Sequence, residues 1–324
     1  MPRAAIPFCQ ACRAGGRSAT AGMPAPAHGR DNRRGFHPVV LLVLLFASAA
    51  PAAAPAGPEA CADHKQRSAS LTVPSFLQTN TLWHAPAGLH LSFADELRRD
   101  WHAPLSGLRG RLLRLGVIRL DAGVAESVVL QVRGAVWQQL TIDERASQPR
   151  PGFPRRGTIR DAGDFSVATV VRLVQNAGHT TALGLRVATR LPNSTQKKGI
   201  GTNTTDVFLA VLFAQRFHHI TLLTETGLGI LTAPLETDEQ NDVLIYGLAA
   251  SCNISPRLQI AAEINGYLTT RNLIPAGTEA RGVLRAGGRW RSRYGELEFS
   301  LAHGLTANEG GWGGLVGVGR EVRF

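Results

Sequence analysis

The sequence has little of what long helices are built from. Of its 324 residues only 18% are charged, 6% are aromatic and 2 are methionine, whereas glycine occurs 35 times. Long stretches rich in glutamate, lysine and leucine are absent, so the composition favours short strands and turns over a helical bundle. The length fits either one large all-β domain or two globular domains.

Long apolar runs are also missing from most of the chain. After residue 56 nothing approaches the roughly 20 apolar residues that a membrane-spanning helix needs. If the protein lies in a membrane, it must therefore cross it with β-strands, because only helices and closed barrels satisfy every backbone polar group inside lipid.

The charge is not of the kind that nucleic-acid binding needs. The formal net charge is +11, but residues 1–56 contain six arginines and one aspartate, so +5 belongs to that region and +6 remains for the rest. Because aromatic and basic residues are not interleaved, we interpret this as a mildly basic surface and expect no nucleic-acid partner.

The N-terminal region has the layout of a secretory signal peptide. Three arginines precede an apolar run at residues 39–46, and an alanine-rich stretch follows. We expect residues 1–56 to be a leader and signal peptide of the Sec type, with Met23 as an alternative start, and an uncleaved N-terminal anchor as the alternative. Residues 57–86 are polar with little periodicity, which predicts an N-terminal extension.

Cysteine is scarce, with four in the chain. Cys9 and Cys12 would leave with the leader, so their spacing does not indicate a metal or redox site. Cys61 and Cys252 would remain in an exported protein, where a disulfide between them can form but is not required by the sequence.

From residue 88 onward, segments of about ten residues alternate apolar and polar side chains between clusters of glycine, asparagine, aspartate and proline. Within "DFSVATVVRLVQ", for example, Phe165 and Val167 share one face, and Ser166 and Arg172 share the other. The stretch "LSFADELRRDW" could alternatively form a short amphipathic helix. The alternation predicts twelve strands, near residues 88–97, 111–120, 127–141, 164–175, 179–191, 205–217, 219–231, 242–254, 257–270, 279–291, 294–304 and 313–324.

Nearly every segment has one apolar face and one small, polar or charged face. A soluble sandwich would bury the apolar faces against each other, whereas a transmembrane barrel would turn them to lipid and keep the polar faces inside. Isolated charges in the middle of strands favour the second arrangement. We therefore predict an all-β, transmembrane antiparallel up-and-down β-barrel of about 12 strands over residues 87–324, with a periplasmic sandwich as the alternative.

The chain ends on "WGGLVGVGREVRF", an alternating strand. Val316, Val318, Val322 and Phe324 are predicted to face lipid. Phe324 resembles the terminal aromatic residue that the barrel-assembly machinery recognises, which makes that machinery and the lipid bilayer the expected partners. Arg320 falls on the same face and is expected near the membrane interface, where snorkelling lowers its cost.

The polar faces define a predicted lumen lining of mixed sign. Its residues are Arg172, Arg186, Arg190, Arg216, Glu225, Glu263, Arg281, Arg285, Arg289, Glu296 and Glu298. One interpretation is structural ion pairing that stiffens a narrow interior. The other is a selectivity lining, in which Arg281, Arg285 and Arg289 face Glu296 and Glu298 on the next strand and Glu263 pairs with one of these arginines.

The sequence supplies no recognisable catalytic, cofactor or metal site. A lipase barrel would need a serine or threonine beside a histidine on the outer face, and His218, His219 and His303 lack such an arrangement. We therefore expect no enzyme activity and no cofactor, and keep a lipid-acting barrel as the alternative.

Two stretches, "DAGDFSVATVVRLVQNAGHTTALGLRVATRLPNS" and "GIGTNTTDVFLAVLFAQRF", carry a family likeness. Gly163-Asp164 opens a strand, Leu191-Pro192 closes its partner, and a Gly-x-Gly-Thr loop follows. Over residues 160–324 the chain resembles the outer-membrane barrel family named for the MetA pathway of phenol degradation. The resemblance implies an outer-membrane location and passive uptake of small compounds, hydrophobic or aromatic ones by analogy, against the alternative of a plugged structural barrel.

Overall fold

The computed structural model describes residues 73–82, 88–103, 105–236 and 239–323. Thirteen strands form one antiparallel sheet, and the sheet closes on itself because β1 pairs with β13 as well as with β2. The strands are β1 (Gly88–Ala103), β2 (Leu108–Ala125), β3 (Val128–Ile142), β4 (Thr158–Asp161), β5 (Phe165–Gln175), β6 (Thr181–Leu191), β7 (Asp206–Phe217), β8 (Ile220–Thr232), β9 (Gln240–Asn253), β10 (Leu258–Thr269), β11 (Arg281–Arg291), β12 (Glu296–Gly304) and β13 (Trp312–Arg323).

Two of these strands share one position in the barrel. β4 pairs with the second half of β3 and β5 with its first half, so together they form one interrupted strand. The architecture is therefore a closed 12-stranded up-and-down antiparallel barrel, as the alternation predicts. Closure removes every free sheet edge, which is the condition for a sheet to stand in lipid.

The two ends of the barrel differ. At one, the short-turn end, strands are joined by residues 126–127, 176–180, 218–219, 254–257 and 292–295. At the other, the loop end, they are joined by residues 104–107, 143–157, 192–205, 233–239, 270–280 and 305–311. The start of β1 and the end of β13 both lie at the short-turn end.

The outer surface of the barrel is apolar around most of its circumference, with Asp95 near the middle of β1 as an exposed outward charge. Along β7 the exposed fractions of Val207, Leu209, Val211 and Phe213 are 41% or more, while Ala210 between them is 1% exposed. The same alternation continues through β8, β12 and β13. The apolar faces are thus turned outward and not against a second sheet, so the sandwich alternative is wrong.

Two local predictions meet different outcomes. "LSFADELRRDW" lies within β1 as extended strand, with shifts in its register against β2 at Ala94/Glu96 and Arg98/Trp101, so the helical alternative is wrong. Arg320 points outward and is exposed, close to the short-turn end, as expected. Phe324 and Cys61 lie outside the described residues.

No helix among the described residues is long and apolar enough to cross a membrane.

A charged residue introduced on the outer face at the middle of a strand tests whether that face contacts lipid. Val211 is 45% exposed near the middle of β7. In lipid vesicles Val211→Arg is expected to lower the unfolding free energy by about 2 to 4 kcal/mol, because the guanidinium loses its hydration at mid-bilayer.

The matched control is Leu273→Arg in the loop at residues 270–280, where the side chain is 87% exposed. Denaturant unfolding in vesicles measures both variants. Equal stability of the two would contradict a lipid-facing surface at Val211.

Candidate functional site: the lumen

The lumen contains a segment of the chain's own N-terminal extension. Residues 73–82, "VPSFLQTNTL", cross the barrel interior and are defined here as the lumen segment. Its first residues contact Arg289 on β11 and Glu298 on β12, and its last contacts Arg172 on β5. These strands lie on opposite sides of the barrel, so the segment spans the lumen from wall to wall, at mid-strand or nearer the short-turn end.

Three buried glutamates of the wall accept hydrogen bonds from the segment's backbone amides. Glu298 accepts from the Ser75 amide at 2.8 and 2.9 Å, and also from its hydroxyl. Glu263 accepts from the amides of Gln78 and Thr79 at 2.8 to 3.0 Å. These bonds have a charged acceptor and are stronger than neutral ones.

The third glutamate acts nearer the end of the segment. Glu225 accepts from the Asn80 amide at 3.4 Å and from its side-chain nitrogen at 2.8 Å. The three carboxylates thus follow the segment across the lumen on β12, β10 and β8.

Four wall arginines donate to backbone carbonyls of the same segment. Arg289 donates to Val73, Arg119 to both Ser75 and Leu77, Arg133 to Gln78, and Arg172 to Leu82, at 2.8 to 3.3 Å. Since the lumen segment pairs with no neighbouring strand, these side chains replace the partners that a sheet would supply.

Apolar contacts add to the polar ones. Phe76, Leu77 and Leu82 are 0 to 2% exposed and belong to a buried cluster with inward-facing residues of β3 and β5–β10. Burial of such side chains contributes roughly 1.5 to 3 kcal/mol each.

Wall glycines allow the segment to approach closely. A Cβ at Gly247 would lie 2.7 Å from the Thr79 hydroxyl oxygen, and one at Gly184 would lie 2.5 Å from Leu82. A Cβ at either position would require the contacting side chain of the lumen segment to move.

Between the lumen segment and the loop end lies a cavity of about 410 Å³, defined here as the chamber. Its floor includes Ser75, Phe76 and Gln78, and residues 200–202 and Glu309 line it from the loops. The lumen therefore consists of a closed section near the short turns and a polar chamber above it.

The structure places the eleven residues of the predicted lining on the inner face of the barrel. They are Arg172, Arg186, Arg190, Arg216, Glu225, Glu263, Arg281, Arg285, Arg289, Glu296 and Glu298. Their role in selectivity stays a prediction, since position alone does not test it.

The pairing predicted for Glu263 is present, because Arg285 lies 3.0 Å from its carboxylate. Of the three arginines predicted to face Glu296 and Glu298, only Arg289 does so, at 3.1 Å from Glu296.

The other two arginines of that predicted set have different partners. Arg281 pairs with Glu309 in the loop at residues 305–311, at 2.9 Å. Arg285 pairs with Glu263 on β10, the preceding strand. The strand register explains this correction, since Ala302 stands opposite Arg285 on β12.

Two groups of inward residues are absent from the predicted lining. The sequence predicts the lumen segment only as part of an N-terminal extension, and the predicted lining contains no charged residue of β1–β3. Those charged residues are Glu96, Arg98, Arg114, Arg119, Asp121 and Arg133. A charged residue at every second position, Glu96 and Arg98 in β1 and Arg119 and Asp121 in β2, is the signal that the sequence offers.

The histidines considered for lipid hydrolysis lie in the turn at residues 218–219 and near the end of β12. His303 packs against Trp312, with ring centroids 4.6 Å apart and the rings tilted by 39°, on the outer face of β12 and β13. In the described part of the chain, His218, His219 and His303 make no hydrogen bond to a serine or threonine hydroxyl. No cluster of three metal-ligating side chains occurs among the same residues.

Comparison with known proteins adds structural likenesses only. No family model and no curated protein matches the chain, so its resemblance to the MetA-pathway family stays a prediction. One solved structure with likeness is the translocator domain of the autotransporter NalP from Neisseria meningitidis. It shares 16% identity over 75% of this chain and 91% of that chain, with a TM-score of 0.44.

Two further structures are more distant. The toluene transporter TodX of Pseudomonas putida shares 9% identity over 72% of this chain and 87% of that chain, with a TM-score of 0.32. The outer-membrane expressed OmpT of Vibrio cholerae shares 9% over 74% and 100%, with a TM-score of 0.36. The closed pairing of β1 with β13, and not these scores, defines the chain as a 12-stranded barrel.

Neutralising Glu263 tests the polar contacts of the lumen segment. Glu263→Gln removes the buried charge that Arg285 and two segment amides share, and leaves the partly buried Arg285 guanidinium without that carboxylate. The expected loss is about 3 to 5 kcal/mol of unfolding free energy, measured by denaturant titration in detergent or vesicles.

The control is Glu144→Gln in the exposed loop at residues 143–157, for which no change is expected. The double variant Glu263→Gln/Arg285→Met should recover part of the loss, because it removes the stranded cation. Unchanged stability of Glu263→Gln would show that the carboxylate does not hold the segment.

Proposed function

We propose that the chain is an outer-membrane channel that its own lumen segment closes in this conformation. Small solutes pass when residues 73–82 leave their position across the barrel. The observation that carries the proposal is a lumen whose wall is charged along its length, yet is blocked by a segment that is not a strand of the barrel.

The membrane location rests on the outer surface. An apolar belt, interrupted at Asp95 of β1, covers a closed sheet, which is the combination that lipid requires. In bacterial outer-membrane barrels the short turns face the periplasm and the long loops face outward. On that rule the lumen segment lies toward the periplasm, where the N-terminal extension would enter, and the chamber opens outward.

A purely structural barrel is the alternative function. A barrel with only a structural role would be most stable with a dry, apolar interior. Buried ion pairs add little to stability compared with packed apolar side chains. The wall charges here instead line the chamber and the path beneath it, so an interior that water and solutes enter explains them better. Uptake of hydrophobic or aromatic compounds remains a prediction from the family resemblance alone.

Loosening the apolar anchor of the lumen segment tests the proposal. Phe76→Ser with Leu77→Ser removes two buried side chains from the segment without altering a residue of the wall. In planar bilayers we expect a several-fold rise in the fraction of time that the channel conducts, because the closed state loses a few kcal/mol of burial.

The matched control is Leu273→Ser with Ile274→Ser, an adjacent apolar pair in a loop. A heat-dependent shift in gel mobility establishes that each variant is folded. Folded protein of both variants that conducts no more than the unmodified chain would favour the structural barrel and end the channel proposal.

A further inference from the structure

The outer face of the barrel carries a groove of about 410 Å³ near the short-turn end, defined here as the outer groove. Trp290 and Tyr294 form one wall and Arg320 forms the other. Continuing the pairing of β12 with β13 by one residue places Gly295 opposite Arg320. Because glycine has no side chain, the space between the two walls stays open.

The end of the outer groove toward the middle of the barrel is apolar. Phe93 on β1 and Leu297 on β12 are exposed, and both pair with the exposed Val318 on β13 between them. Trp290 continues this row on β11, where it pairs with Leu297. The outer groove thus runs from an apolar row to a polar end at Arg320, beside the kind of aromatic side chains that mark a membrane interface.

Arg320 supplies a positive charge that no described residue neutralises. Its side chain is exposed and forms no salt bridge in the described part of the chain. Glu296 belongs to the lining of the outer groove, but its carboxylate is turned to the lumen. There it contacts a histidine and two arginines of the wall at 2.9 to 3.2 Å.

The outward acid on β1 is also out of reach. Arg320 pairs with Leu91, and Asp95 lies four residues further along β1, roughly 13 Å away at the rise of a strand. The Asp95 carboxylate accepts a hydrogen bond from the Gly116 amide at 3.0 Å. Among the described residues, therefore, the outer groove has a cation and no carboxylate directed into it.

A second arginine adds to the positive charge at the polar end. The Arg293 guanidinium lies over the Tyr294 ring, 4.5 Å from its centroid, and donates to the phenol oxygen. Like Arg320, it forms no salt bridge to another described residue. A planar guanidinium binds a phosphate through two parallel hydrogen bonds, so a phosphate is the partner that suits this end best.

We propose that the outer groove binds one anionic phospholipid of the periplasmic leaflet, with its phosphate at Arg320 and an acyl chain along Leu297 and Val318. The leaflet follows from the short turns, which face the periplasm in outer-membrane barrels. A zwitterionic headgroup would bring an ammonium group, for which the outer groove offers no carboxylate. The proposal rests on the membrane placement of the proposed channel, but not on conduction.

The test uses the full chain in vesicles of equal parts phosphatidylcholine and phosphatidylglycerol, with bromine on the acyl chains of one lipid or of the other. Bromine quenches a tryptophan that it contacts, and subtracting the emission of Trp290→Phe isolates the signal of Trp290. We expect brominated phosphatidylglycerol to quench Trp290 about two- to fivefold more than brominated phosphatidylcholine, the range for one exposed ion pair.

Three variants locate the site. Arg320→Gln should bring the ratio of the two quenching values close to one. Arg320→Lys should keep part of the preference, because an ammonium attracts phosphate as a point charge without the paired hydrogen bonds. Arg111→Gln removes an equal charge from an exposed position on β2 at the loop end, and should leave the ratio unchanged.

Equal quenching of Trp290 by the two brominated lipids would overturn the proposal, since an arginine that only snorkels to the interface would give that result. A preference that persists in Arg320→Gln would also overturn it. Either result leaves the channel proposal standing, because conductance is measured separately. Absence of quenching by both lipids would contradict the membrane placement and end both proposals, whereas a silent channel would leave the lipid preference intact.

Discussion

The structure depends on mutual satisfaction between a charged barrel wall and the backbone of the lumen segment. Buried carboxylates and guanidiniums are costly unless each finds a partner, and so are the free N–H and C=O groups of an extended chain. Glutamates on β8, β10 and β12 take the amides, and arginines on β2, β3, β5 and β11 take the carbonyls. The wall side chains thus offset the desolvation cost of the segment's backbone groups, and those backbone groups offset the cost of the buried wall charges. The buried apolar side chains of the segment hold it in the position at which these hydrogen bonds form.

This arrangement divides the lumen into a section that the segment fills and a section that contains the chamber. Toward the short turns, the segment closes the path with contacts that are mostly to its main chain. Toward the loops, the chamber retains ion pairs of the wall and loops, such as Arg114 with Glu96 and Arg281 with Glu309. Arg133 belongs to both sections, because it lines the chamber and binds the segment.

Much of the barrel can be predicted from the sequence because a lipid-facing strand must alternate. From β5 to β13 the apolar positions repeat at every second residue, and the predicted strands agree with the structure to within a few residues. In β1 the outward face carries Asp95 among its apolar residues, so the alternation of apolar and polar side chains does not separate the inward Glu96 and Arg98 from it. The lumen segment is harder in principle. Its polar contacts are made largely by main-chain groups that every sequence shares, and no periodicity of side chains marks it.

A reversible crosslink measures the central claim most directly, that residues 73–82 close the channel. Thr79 and Gly247 are suited to it, since a Cβ at Gly247 would lie 2.7 Å from the Thr79 hydroxyl oxygen, which is near disulfide geometry. Thr79→Cys with Gly247→Cys is placed in a chain that carries Phe76→Ser and Leu77→Ser and lacks its native cysteines. The account predicts conductance after reduction and silence after oxidation, in the same bilayer. Equal conductance in the two redox states, with the crosslink verified by mass, would contradict it.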